Sequence, residues 1–159
     1  MARFDTSGMD DLIRDMENMG QLSGEVAKVM VEAAAQEIKA AWKESAEDHG
    51  LRDTGAMIES IDAPGPVMDF GTALGKDIYP TGKDRKGVRN AEKAFILHYG
   101  RNGWQRIEAT YWVDDADAIS EVRVPPRLDA IWQEFLDTGK VPSLPASGGS
   151  AGGITKKTE

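Results

Sequence analysis

Cysteine is absent from this chain of 159 residues, and histidine occurs only twice. The first absence removes disulfides, thiolate zinc sites and cysteine nucleophiles together, and it fits folding in a reducing cytoplasm. No apolar run approaches the length that crosses a bilayer, so no membrane partner is expected. The N-terminal residues lack a signal-peptide pattern. Positive charge is scarce as well. With 19 bases against 27 acids the net charge is −8, which argues against simple nonspecific binding of nucleic acid. What remains, 40% hydrophobic residues at single-domain length, is enough to bury one sizeable core.

The patterns that carry chemistry are missing too. His49 and His98 lie far apart without metal-ligand spacing, and His98, inside an apolar run, reads as a core or interface residue. No Gly-x-Ser-x-Gly elbow is present, and Ser60, Ser120 and Ser143 have no base nearby in sequence. Gly71, Gly75, Gly82 and Gly87 match neither phosphate-binding nor dinucleotide-binding patterns. Asp114, Asp115 and Asp117 depart from a calcium loop and are better explained as the start of a helix. No catalytic residue, cofactor or metal is expected.

What the chain does have is uneven charge. Residues 1–63 hold 14 acids against 6 bases, while residues 64–159 hold 13 of each. Within the second part, residues 76–106 concentrate 8 bases (Lys76, Lys83, Arg85, Lys86, Arg89, Lys93, Arg101, Arg106) against 3 acids. An acidic helical face and a basic loop on one chain attract each other between neighbouring copies, and head-to-tail contacts of that kind generate rings when the rotation closes. The alternative is a basic loop that is simply a solvated tip.

Periodicity predicts an α+β fold: N-terminal helices and a C-terminal helix packed on a small antiparallel sheet with a long basic hairpin loop. Met9, Leu12, Ile13, Met16 and Met19 give a short amphipathic helix capped by Gly20. Ser23 caps a second helix reaching about Glu47, with Val26, Met30, Ala33, Ala34, Ile38, Ala41 and Trp42 as its packing stripe. Thr54 caps a short helix through Ile61, which Pro64-Gly65-Pro66 stops. One or two weak strands follow over residues 67–79, then a polar loop over 80–90. The run from Ala94 to Tyr99 reads as a buried strand ended by Gly100. Asp114 and its neighbours open a helix that Val124-Pro125-Pro126 interrupts, and a fresh helix begins near Pro126 with Leu128, Ile131, Trp132, Phe135 and Leu136 on one face. Residues 1–142 form one domain, and 143–159 are a Gly/Ser-rich C-terminal arm expected to reach neighbours.

Three segments in this order, Thr54–Ile61, Asn90–Gly100 and Ile107–Ala116, resemble the tail-completion and neck family of long-tailed bacteriophages. The resemblance extends from about Met9 to the closing Trp132–Leu136. It departs at His98, where the family commonly has an acid, and at Pro125-Pro126, where the family is continuously helical. It implies a structural virion protein at the head-tail junction, a member of a homo-oligomeric ring (a hexamer), assembled in the host cytoplasm. The implied partners are copies of itself, other neck and tail proteins, and DNA passing through the channel. A tail-tube terminator or head-closure protein in an adjacent layer is the alternative, and a phage-encoded soluble binding module a more distant one. Lys83, Arg85, Lys86 and Arg89 are the expected contact residues for a neighbouring subunit or neck protein.

Overall fold

The computed structural model describes residues 7–51 and 55–144, with side chains from residue 13 onward. Thr54, the side chains of Met9 and Leu12, and the arm beyond Leu144 lie outside the described residues. The chain is α+β, as the sequence predicts. Its elements are α1 (Ser7–Asp48), α2 (Ala56–Glu59), β1 (Ile61–Asp62), β2 (Met68–Asp69), β3 (Leu74–Gly75), β4 (Tyr79–Pro80), α3 (Asn90–Tyr99) and α4 (Trp112–Thr138).

The two helices expected before residue 48 are one. Gly20 does not cap; α1 runs through it, and Ser23 donates its hydroxyl back to the Gly20 carbonyl at 2.8 Å. Good helix formers on both sides, notably the alanines from Ala33 onward, favour continuation over a break that glycine only weakens. At about 1.5 Å per residue, the 42 residues of α1 make a rod about 63 Å long.

The rod packs antiparallel against α4, through two clusters. Trp42 and Ala46 meet Trp112 near the C-terminal end of α1, with Met57, Ile58, Ile61 and Ala94 closing round them. The Trp42 and Trp112 rings meet edge to face at 5.4 Å. Ser45 donates to the Trp112 carbonyl at 2.6 Å, tying α1 to the first turn of α4. Farther toward the N-terminus, Val26 and Ala33 pack on Ile131 and Phe135. Arg123 and Glu44 staple the two helices from outside by a forked ion pair of 2.6 and 3.0 Å.

The predicted break at Pro125-Pro126 is absent: α4 is continuous across both prolines. Each proline removes a ladder hydrogen bond, which normally ends a helix. Here Trp112, Ala116 and Ser120 are buried before the pair and Ile131 and Phe135 after it, so burial on both sides holds the helix to its course. Gly139, in the left-handed conformation, ends it, and Val141 and Leu144 return against the second cluster.

Between the long helices the chain is short-ranged. β1 pairs antiparallel with β4 (Ile61 with Pro80, Asp62 with Tyr79), and β2 with β3 (Met68 with Gly75, Asp69 with Leu74). The strands are anchored to α1 by Lys76, whose nearly buried ammonium contacts both Glu32 oxygens at 2.7 and 2.6 Å, and by Lys39 on Asp62 at 3.1 Å. Lys39, together with the Ala63 amide, holds the Asp62 carboxyl below its ordinary range.

The largest correction concerns residues 94–99. They are not a strand but the main part of α3. Asn90, Ala94 and His98, spaced four apart, are its buried residues, while Phe95 and Tyr99 face solvent at 62% and 59% exposure. An unbroken apolar run hides its period, and a six-residue window cannot separate strand from helix.

Candidate assembly surface

The basic loop between β4 and α3 is an ordered tip. Thr81 ties its start to the end of α2 by donating amide and hydroxyl to the Ser60 carbonyl at 2.8 and 3.1 Å. Asn90 ties the other end, donating its side-chain amide to the Thr81 carbonyl at 2.8 Å and its backbone N–H to Gly82 at 3.1 Å. Asp84 organises what lies between. One carboxylate oxygen accepts the amides of Lys86 and Val88 at 2.8 and 2.9 Å, and the other meets the Lys93 ammonium at 2.5 Å. Lys93 first, then those amides, hold the Asp84 carboxyl below its usual range against the opposing effect of burial. A loop predicted as too polar to pack is thus packed by its own polar groups.

This arrangement sorts the eight bases of residues 76–106. Lys76 is committed to Glu32 and Lys93 to Asp84, so neither faces outward as a free charge. Arg101 leans on Gln105, and Arg106 approaches Glu108 at 4.0 Å. Lys83, Arg85, Lys86 and Arg89 stand exposed on the tip and form no ion pair with the described residues. Lys83 and Arg89 face each other across an antiparallel bridge, with Arg85 and Lys86 at the turn beyond. The expected long hairpin is reduced to that single bridge. All four predicted contact residues come together on one small knob.

Beside the tip, α3 and the loop after it expose aromatic residues. Phe95 and Tyr99 pack ring on ring at 4.8 Å, and Tyr99 and Tyr111 flank His98 edge to face at 4.3 and 5.7 Å. His98 is buried, accepting the Val113 amide on Nδ1 at 3.4 Å and facing Asp114 with Nε2 at 3.8 Å. Its place is the seam between α3 and α4. Trp104, on the turn closed by the Arg101–Ile107 bridge, is fully exposed. Gly100 makes this geometry possible: a Cβ there would sit 2.8 Å from the Ile107 carbonyl oxygen and 2.9 Å from the Ala109 nitrogen. Reading residues 94–99 as a strand concealed this surface. The signal that could have found it is the four-residue spacing of Phe95 and Tyr99, offset from that of Ala94 and His98.

No group of three or more histidine, aspartate or glutamate residues that could hold a metal occurs among the described residues. His49 bonds Asp115 at 2.7 Å, joining the end of α1 to the first turn of α4, where Asp114 and Asp115 lie as predicted. A groove beside α1 is lined by Glu25, Lys28, Glu32, Pro66, Ser143 and Leu144, and its Glu32 is already committed to Lys76. No helix among the described residues is long and apolar enough to cross a membrane.

No curated protein and no solved structure matches the chain. A family profile does: that described as bacteriophage HK97-gp10, putative tail-component, over residues 10–112. The match takes in α1, the strand region, the basic tip and α3, and ends where α4 begins. The chain belongs to this HK97 gp10-like family of bacteriophage tail components.

Proposed function

We propose that this tail component works at the neck, completing the tail and helping to join it to the capsid as one subunit of a ring. The observation that carries the reading is the tip: four cations that pair with no described acid, on a knob braced by Asp84, in a tail-component chain of net charge −8. A rigid cationic knob on an acidic chain suits contact with an acidic face of a neighbouring subunit or neck protein. Ordering the tip in advance lowers the entropy lost on binding. The ring is a hexamer, assembled in the host cytoplasm and carried in the virion. The role is structural, with no catalytic step.

Two experiments test this. Electron microscopy of particles made without this protein is expected to show finished tails that fail to join heads. Tails of abnormal length would instead place it with the tail-tube terminators. Reversing Lys83, Arg85, Lys86 and Arg89 to glutamate is expected to abolish ring assembly. If rings form normally but DNA passage falters, the knob faces the channel and meets phosphates rather than protein.

A further inference from the structure

The start of α1 lies outside the packing that builds the body: among the described residues, neither core cluster includes one before Leu22. Residues 13–21 are exposed on every side. They nevertheless carry an apolar stripe, Ile13, Met16 and Met19, exposed to 52%, 66% and 59%. The packing of α1 on α4 begins only at Leu22 and Val26. Gly20 and Gly24 lie in or beside it, each about 1 kcal/mol worse than alanine in a helix, and neither is needed for packing because a Cβ at either would meet nothing within 4 Å. A stretch of helix outside the packed body gains little beyond its intrinsic propensity.

The opposite end of the molecule carries the complementary surface. Trp112 contacts both Trp42 and the Ala94 carbonyl, which places α3 beside the C-terminal end of α1. Phe95 and Tyr99, their rings 4.8 Å apart, are exposed there, and the turn that follows α3 carries the exposed Trp104 with Arg101 and Arg106. The arm is acidic, with Asp10, Asp11, Asp15 and Glu17 against Arg14. Met16 and the α3 level of α1 are about 30 residues apart, or about 45 Å along a helix, so the arm cannot reach its own α3. The C-terminal stretch 145–159 is a poor cover for the stripe, since Ile154 is its only large apolar residue.

We infer that the N-terminal arm of α1, through Ile13, Met16 and Met19, docks on the aromatic patch of Phe95, Tyr99 and Trp104 in a second copy of this chain. The contact is head to tail, with different surfaces on the two copies, so its repetition yields a closed ring or a filament. Apolar contact supplies the attachment, and the acidic arm against the basic rim supplies direction. The inference rests on the ring reading and specifies which surfaces make it.

The absence of cysteine makes the test clean. Two full-length single-cysteine variants, Met16→Cys and Tyr99→Cys, are mixed under mild oxidation and the disulfide-linked dimer is measured. Both positions are exposed, and thermal melting of each variant checks that the fold is kept. The mixed pair is expected to cross-link at least ten times faster than Met16→Cys with Val122→Cys, an exposed α4 position serving as background. The chain carrying both Met16→Cys and Tyr99→Cys should form multimers rather than an internal disulfide. Self-linking of Met16→Cys at the mixed-pair rate would mean that arms pair with arms, and would overturn the inference. Cross-linking at background up to millimolar concentration would overturn it too. Electron microscopy of the particles judges the neck assignment separately, so the two can fail independently.

Discussion

The two halves of α1 are one helix with opposite physics. From Val26 to Ala46 it presents a stripe of buried residues to α4, and its stability comes from what it covers. From Ile13 to Gln21 it stays exposed and belongs to neither core cluster, yet carries an apolar stripe of its own. Helices in proteins owe most of their stability to packing of an apolar face rather than to propensity. The buried half therefore reports on folding, and on the docking proposed above the bare half reports on assembly. A substitution in one half should register in a different measurement from a substitution in the other.

The sharpest break of that contrast comes from the buried end. Trp112 has no exposed surface and anchors Trp42, Ala46 and Ala94 at once. Trp112→Ala is expected to lose about 3–5 kcal/mol of folding stability, read by chemical denaturation. A loss below about 1 kcal/mol would show that the first cluster does not carry the fold. Next in size is Gly100, at φ 78° and ψ 177°, a backbone region open essentially to glycine alone. Gly100→Ala is expected to cost about 1–3 kcal/mol in the same measurement, because its Cβ would also press on backbone atoms that cannot yield cheaply.

The tip should respond locally and to pH. Its Asp84 carboxyl is held below the ordinary value by Lys93 and two amides, so the folded form binds its proton more weakly than the unfolded form. The stabilisation is therefore complete above the ordinary carboxylate range near pH 4 and disappears as pH falls through the lowered value. Amide exchange at Lys86 and Val88 is expected to accelerate over that acid window while the α1 and α4 amides stay protected. Asp84→Asn should give the same local loosening at neutral pH. Equal loosening of the long helices would mean that tip and body unfold as one unit.

How much of this was legible in the sequence depends on what each residue had to reveal. Tail-component kinship showed in the order of three segments, and the tip cations showed as a charge cluster. Asp114 and Asp115 marked the start of α4 because carboxylates belong at a helix N-terminus. Three features did not show. Residues 94–99 read as a strand because consecutive apolar side chains erase the period that distinguishes helix from strand. Gly20 and Pro125-Pro126 read as breaks because local propensity is blind to the partner helix that overrides it. The bracing of the tip depends on Asp84 reaching Lys93, Lys86 and Val88 together, a convergence created only by the turn itself.

The smallest effect on folding, and the most telling, belongs to the bare half. Replacing Ile13, Met16 and Met19 together by alanine removes an exposed stripe that belongs to neither core cluster of the described residues. The denaturation midpoint of the body is expected to move by less than about 0.5 kcal/mol equivalent, the range of ordinary surface substitutions. Gly20→Ala should raise the helicity of the arm, by about 1 kcal/mol of local propensity, again without moving the body. In assembly the two changes should diverge: the triple variant loses self-association, while Gly20→Ala strengthens it by ordering the arm before it docks. If the triple variant destabilised the monomer as much as a core substitution, the arm would be part of the folding unit. The contrast between the halves of α1 would then be one of exposure alone, without a difference of function.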